Sequence, residues 1–302
     1  DAVTSIGQMT DLTIAVVLYD LIPFLNPVPY LENPAVKRWY DEKVFFLQKA
    51  NLLLSISESS RQEALSYLNF SKEKVVNIST DTDPQFIRKK YSKNEALNIY
   101  KKYSIDRDLV LYTGGIDYRK NIESLISAYS RLPKSLREQY QLAIVCSMSE
   151  ADKVRLQQLA NSEGMEDQEL VLTGFIPEED LIALYNLCKL FVFPSWHEGF
   201  GLPVLEAMRC GAIVIGADAS SLPEVIGAQE ALFDPRDIDD IADKLKQALT
   251  DQEFRQNLKQ HINQQEKKFS WEKTAKNTII ALENLFFDKS KLTVTNKKNI
   301  SQ

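Results

Sequence analysis

Residues 191–210 read FVFPSWHEGFGLPVLEAMRC, and the fold follows from how this stretch divides. A short apolar run rich in β-formers ends at Pro194, a loop with Gly199 and Gly201 follows, and Leu202-Pro203 opens a helix. The unit is strand, loop, helix, with Glu198 in the loop and Glu206 in the second helical turn. In an open α/β sheet, ligands sit outside the carboxyl ends of the strands, so a ligand is expected at this loop.

The same unit repeats around it. From about residue 105, strands are expected at Leu109–Thr113, Gln141–Cys146, Glu169–Leu172, Lys189–Phe193, Ala212–Gly216 and Ala231–Phe233. Helical segments at Asn121–Leu132, Glu150–Glu163, Pro177–Leu187 and Pro203–Arg209 separate most of them, and the chain reads as helical from Asp237 almost to Phe287. Such alternation specifies an α/β domain with a parallel sheet and helices on both faces.

Upstream, Leu12–Leu18 is a continuous apolar run, expected to be a strand buried on both faces. Asn51–Ile56 and Val75–Ser79 are further strands, Asn33-Pro34 caps one helix, and Ser57–Leu68 forms another. Between them, Pro23, Pro27 and Pro29 exclude regular helix from Leu21 to Asn33. That apolar loop would line an acceptor pocket, touch a membrane surface, or pack on its own domain. The polar cluster Asp81-Thr82-Asp83-Pro84 marks a boundary. The expected division is 1–84, 85–270, a closing helix at 271–287, and an aperiodic tail or linker at 288–302.

A chain of 302 residues suits about two domains with separate cores. Thirty-six basic against 42 acidic residues, a net charge of -6, give no support for general nucleic-acid binding. No apolar run approaches the roughly 18 residues of a membrane span. No signal-peptide pattern is present. Cys146, Cys188 and Cys210 have no short spacing and read as buried, reduced thiols of a cytoplasmic protein. With His197 and His261 the only histidines, a His-based metal site or a Ser–His–Asp triad is disfavoured. Asp1 opens the chain and no methionine precedes Met9, so further domains of a longer polypeptide are expected.

Three loops that follow strands would gather at one sheet edge. Thr113–Asn121, TGGIDYRKN, offers Gly114 and Gly115 for close backbone approach and Arg119 and Lys120 as cations at a helix start, a combination suited to a diphosphate. It matches neither GxxxxGK[ST] nor GxGxxG, and a glycine turn with solvated charges is the competing reading. Thr173–Pro177, TGFIP, places the backbone of Ile176 where a flat base would lie, or is an ordinary helix entry. In the opening stretch, the backbone N–H groups around Gly199 and Gly201 suit a phosphate or sugar hydroxyl. Glu206 can accept two hydrogen bonds from a ribose diol, and Glu198 would meet the sugar. A glycosidase acid–base pair would leave the cationic loop unexplained. His197 reads as a loop-stabilising or sugar-contacting residue, and Asp218–Gly227 as a pocket rim or a connecting turn.

EGFGLPVLEAM, preceded by FPSWH and followed by CGAIVIGADASSLPEVIG, resembles the retaining glycosyltransferases of family 4, with their E-x7-E pair and GT-B fold. TGGIDYRKN is similar to that family's diphosphate loop and TGFIPEEDL to its base-contacting loop, and the resemblance runs from about Leu12 to Phe286. It implies two Rossmann-like domains, the first incomplete here, and transfer of a sugar from a nucleotide-sugar donor to an acceptor hydroxyl with retention and no metal or other cofactor.

Carried over residue by residue, Arg119 and Lys120 neutralise the leaving diphosphate and, with Glu198 on the donor sugar, form the catalytic group. The donor-binding set is Gly114, Gly115, Arg119, Lys120, Ile176, Glu198, Gly199, Phe200, Gly201, Leu202 and Glu206. Tyr19-Asp20 stands where many members have His-Asp, so these two are acceptor-side candidates without the histidine's role. Arg119 replaces an arginine that members often carry at the position of Gly115. The implied partners are a GDP- or UDP-sugar and a glycan or lipid-linked acceptor, with peripheral contact at the inner face of the plasma membrane. The motif wording leans toward mannose from GDP-mannose in surface polysaccharide synthesis. The competing reading is a donor-binding fragment that is not catalytically competent alone.

Overall fold

The computed structural model describes residues 12–299, the last twelve of these by backbone only. The chain divides into two compact units: one runs to Asp81 and resumes at Phe269, and the other is Thr82–Lys268.

In the first unit, β1 (Ala15–Leu18), β2 (Leu52–Ser55) and β3 (Val75–Asn77) form a parallel sheet in that order. Leu53 and Val75 pack with Leu18, Leu21, Val44, Ala64 and Leu68 on one side. β1 is shorter than expected and is not buried on both faces: Val17 is 44% exposed. It is the edge strand of the described sheet.

The proline-rich segment holds two single-turn helices, α1 (Ile22–Leu25) and α2 (Pro27–Tyr30), where no helix was expected. Pro23 and Pro27 occupy first-turn positions, where a missing N–H costs no helical hydrogen bond, and Asn26 (φ -127°, ψ 70°) separates the turns. The longer α3 (Pro34–Leu47) starts as the sequence indicates, with the Asn33 side chain accepting from the N–H groups of Ala35 and Val36. α4 (Glu58–Tyr67) follows β2.

The second unit carries a six-stranded parallel sheet: β4 (Asp108–Thr113), β5 (Tyr140–Val145), β6 (Leu170–Leu172), β7 (Leu190–Phe193), β8 (Val214–Ala217) and β9 (Leu232–Phe233). Its spatial order is β6-β5-β4-β7-β8-β9. The chain therefore winds outward from β4 to β6, returns to the centre, and winds the other way from β7. β4 and β7 are neighbours, with Val110 opposite Leu190 and Leu111 opposite Phe191. Where such an order reverses, a crevice opens beyond the carboxyl ends of the two central strands.

Leu109–Tyr112 and Leu190–Phe193 are fully buried, as expected of strands covered on both faces. Tyr112 stacks on Phe193 (5.8 Å) and Phe193 on Phe191 (5.9 Å), filling the centre of the sheet. Each such side chain contributes about 1.5–3 kcal/mol of burial.

Helices α6 (Ile122–Ser130), α8 (Glu150–Ser162), α9 (Glu178–Leu187) and α10 (Leu202–Arg209) lie where periodicity puts them. Two others, α5 (Lys93–Lys102) and α7 (Lys134–Gln139), were not anticipated. The first had a legible start in the Ser92…Glu95 capping box. A third, α11 (Leu222–Ile226), occupies the segment read as a rim or turn. The helical stretch after Asp237 breaks into α12 (Ile238–Thr250), α13 (Gln252–Gln265) and α14 (Trp271–Asn299). Asp251 makes the first break by capping the N–H of Phe254.

After Lys268 the chain returns to the first unit, where Ala281 packs with Leu52, Leu54 and Ile78. The segment expected to be an aperiodic tail instead continues the helical backbone to Asn299, while 300–302 lie outside the described residues. Cys146, Cys188 and Cys210 are free thiols. Among the described residues no helix is long and apolar enough to cross a membrane.

Candidate active site

The two loops leaving β4 and β7 meet at the strand-order reversal. Thr113 ends β4, and the turn beyond it is held by its own strand: the hydroxyl of Tyr112 donates to the carbonyl of Gly115 at 2.8 Å. Gly114 has φ +149°, and a Cβ there would lie 2.9 Å from that hydroxyl, so the turn needs a glycine. Arg119 and Lys120 do not begin the helix, as the sequence suggested. They lie in a 3-10 turn, Tyr118–Lys120, and Asn121 separates them from α6.

Asn121 adopts φ 58°, ψ 36°, a left-handed conformation that asparagine tolerates better than most residues. Its side-chain amide donates to the carbonyls of Pro194 (3.1 Å) and Pro235 (2.8 Å). One residue thereby ties together the loops after β4, β7 and β9.

Across the seam, the Trp196 N–H donates to the Arg119 carbonyl (2.8 Å), and the Tyr118 and Trp196 rings pack edge to face at 4.4 Å. The Arg119 guanidinium returns the tie by donating Nη1 to the His197 carbonyl at 2.9 Å. Glu198 then receives both cations. Its Oε2 is 2.7 Å from Arg119 Nη1 and its Oε1 is 2.7 Å from Lys120 Nζ. Asp117 pairs with Arg119 Nε at 3.2 Å.

These charges are not a solvated fringe, because Lys120 and Glu198 are each 7% exposed. Lys120 Nζ also sits 5.3 Å from the centroid of the Phe193 ring, a face that favours a cation. The backbone of Glu198 is clamped from the loop after β8: its N–H donates to Ser220 Oγ (2.8 Å) and its carbonyl accepts from Ser221 Oγ (2.9 Å). The segment Asp218–Gly227 thus supports Glu198 directly.

Glu206 belongs to the same edge through a relay. Tyr185, on α9 and fully buried, donates to Glu206 Oε2 at 2.9 Å. Its hydroxyl is 2.7 Å from Thr113 Oγ1. A phenol has one proton, so with Glu206 ionised Thr113 donates to Tyr185. Burial pushes the Glu206 carboxyl up to about 7, while the Tyr185 hydrogen bond pulls it down in part and Glu178 adds a smaller upward push.

The remaining candidates are placed as follows. Gly201 caps α10 at φ +97°, where a Cβ would lie 2.7 Å from Leu222 Cδ2, so a glycine lets α10 pack against α11. Phe200 is buried and Leu202 is 40% exposed, with half-buried Gly199 before them. Ile176 is buried on the loop after β6, two strands out from β4. At roughly 4.8 Å per strand, its loop begins about 10 Å from the β4 loop along the same edge.

Tyr19 and Asp20 follow β1 in the other unit. Tyr19 is exposed with its carbonyl accepting from Ser60 Oγ (2.8 Å), and Asp20 Oδ1 accepts from the Ile22 N–H (2.9 Å).

Sequence reasoning missed Tyr185, and it placed Thr113, Asn121, Ser220 and Ser221 within candidate loops without giving them roles of their own. A tyrosine on the buried face of a helix was the one available signal, since its hydroxyl needs a partner.

A family model described as "Glycosyl transferases group 1" matches residues 96–265. The serotype-specific mannosyltransferase WbdA of Escherichia coli is 44% identical over 86% of this chain and 32% of its own length. The O-antigen chain mannosyltransferase B of Escherichia coli is 36% identical over 78% of this chain and 61% of its own length. The chain thus spans about a third of the WbdA relative it matches.

Among solved structures, sucrose-phosphate synthase from Thermosynechococcus elongatus aligns over 94% of this chain and 70% of its own, with TM-score 0.74 and 22% identity. Anabaena HepE, determined with UDP and glucose, aligns over 93% of this chain and 74% of its own, with TM-score 0.74 and 19% identity. At these identities the likeness is one of fold, and the parallel-sheet units are the Rossmann-like units of the GT-B class.

Proposed function

The chain belongs to the glycosyl transferases group 1 family, and from that membership we propose that it moves a sugar, mannose in the favoured case, from a nucleotide-sugar donor to an acceptor hydroxyl in surface polysaccharide synthesis. The observation that carries this reading is the cluster of half-buried Arg119 with buried Lys120 and Glu198 at the reversal of strand order. Two cations there meet the need of a departing diphosphate, whose charge grows as the sugar's anomeric C–O bond breaks and the acceptor hydroxyl, giving up its proton, bonds through oxygen to that carbon. Electrostatic stabilisation of this kind is usually the largest contribution an enzyme makes to such a step.

In the same reading, Glu206 accepts the ribose hydroxyls, the backbone at Ile176 meets the base, and the backbone from Gly199 to Leu202 meets the sugar or a phosphate. Assignment to family 4, retention of configuration, and chemistry without a metal or other cofactor are parts of the proposal. So are a cytoplasmic location at the inner face of the membrane, a glycan or lipid-linked acceptor, and an acceptor role for Tyr19 and Asp20. The relatives named as mannosyltransferases support mannose as the sugar.

The test is a melting-temperature panel of the full 302-residue chain with GDP, UDP, GDP-mannose and UDP-glucose, followed by transfer assays with the stabilising donor. A ligand that binds only the native state at 100 times its Kd stabilises by about 2.7 kcal/mol. No shift with any nucleotide would sink the reading. A second reading, a donor-binding part without transfer of its own, is favoured by the fraction of WbdA that the chain spans. Donor binding without transfer by this chain, alongside transfer by a longer polypeptide containing it, would establish that alternative.

A further inference from the structure

Arg119 and Lys120 are already engaged by carboxylates. Glu198 holds one nitrogen of each at 2.7 Å, and Asp117 holds Arg119 Nε at 3.2 Å. Two cations and two carboxylates leave this group with no net charge. The side chains of Lys120 and Glu198 are each 9% exposed, so water screens their attraction poorly, whereas Asp117 is 38% exposed and better screened.

The reading of this cluster as a diphosphate site, on which the present inference rests, therefore meets a conflict of charge. A nucleoside diphosphate brings roughly two or three negative charges at neutral pH. Placed on Arg119 and Lys120 beside a buried carboxylate, those charges would repel it with little solvent between them. We propose that Glu198 and the donor's diphosphate compete for the same two cations, and that the diphosphate, on binding, releases the Glu198 side chain toward the donor sugar.

The geometry makes such a release a side-chain movement on a fixed frame. The N–H and carbonyl of Glu198 are held by Ser220 and Ser221, and the preceding carbonyl, of His197, is held by Arg119 itself. Rotation of the carboxylate therefore leaves the loop in place. Diphosphate binding and the positioning of Glu198 become one coupled event, and coupling of binding free energies is reciprocal. Whatever draws Glu198 away from the cations strengthens the grip on the diphosphate. Glu198 thereby sets donor affinity as well as meeting the sugar.

The competition has a signature that a purely structural role would not produce: removing the charge of Glu198 should tighten binding. Calorimetric titration of GDP and UDP into the full chain and into Glu198→Gln should show the variant binding about tenfold more tightly, a difference of about 1.4 kcal/mol. A structure of the wild-type chain with the bound nucleotide diphosphate should show Glu198 no longer paired with Lys120 Nζ, and that measurement does not depend on the variant folding. Equal or weaker binding by Glu198→Gln, or both ion pairs intact in the complex, overturns the inference while leaving the donor site standing. Binding of neither nucleotide to the wild-type chain overturns the functional reading and this inference together.

Discussion

The hydroxyl of Tyr185 lies 2.9 Å from Oε2 of Glu206, and with Thr113 2.7 Å from the same hydroxyl it joins a helix-borne carboxylate to the end of β4. This relay holds Glu206 beside the crevice between β4 and β7, where burial, partly offset by the Tyr185 hydrogen bond, places its ionisation in the neutral range.

Burial raises the Glu206 carboxyl from 4.5 to about 7. Between those values the folded chain keeps a proton that the unfolded chain has released. The resulting stabilisation is fully present below pH 4.5, declines as pH rises, and is gone once pH passes about 7. Its size is at most about 3 kcal/mol. Urea unfolding of wild type and Glu206→Gln at several pH values should show wild type losing ground to the variant as pH rises through this window. A pH-independent difference would count against it.

Tyr185→Phe deletes the donor that partly offsets this rise. The Glu206 transition should move to higher pH, and the chain should lose about 1–2 kcal/mol because Thr113 and Glu206 lose a buried partner. The same urea series reads both effects. An unmoved transition would show that the relay does not govern Glu206.

Lys120→Met removes one of the two cations that neutralise Glu198. Taking away one partner of a buried ion pair costs about 3–5 kcal/mol when no other remains. Arg119 stays in place here, so a loss of about 2 kcal/mol is expected, together with at least a tenfold loss of nucleotide diphosphate affinity. Thermal melts with and without GDP check both. Unchanged affinity would remove Lys120 from the donor site.

Asn121→Ala removes two hydrogen bonds that bridge three loops and puts a residue less suited to φ 58° at that position. A destabilisation of about 2–3 kcal/mol is expected from the freed carbonyls and the backbone cost. Asn121→Gly, which relieves only the backbone, should recover less than half of it. Full recovery by glycine would assign the role of Asn121 to conformation alone.

Much of this was legible in the sequence because it is local. Short apolar runs alternating with helical patterning located all six strands of the second unit, and Gly114 and Gly201 stand where the chain takes positive φ. The misreadings were local competitions that the tertiary structure decided. Three prolines were read as excluding helix, yet two of them start single turns; Leu12–Leu18 looked covered on both faces, yet Val17 lies on a strand at the edge of the described sheet.

By itself, the sequence determined that Arg119, Lys120 and Glu198 lie on loops after strands of a parallel sheet. Strand order could not be read, because pairing between β4 and β7 joins segments that are 80 residues apart in Val110 and Leu190 and leaves no periodic trace. That order brings Lys120 to Glu198 across 78 residues, buries both, and gathers two cations with Glu198 and Asp117 into one balanced cluster. It also set the ionisation of Glu206, since burial depends on what packs around a carboxyl and not on its neighbours in the chain.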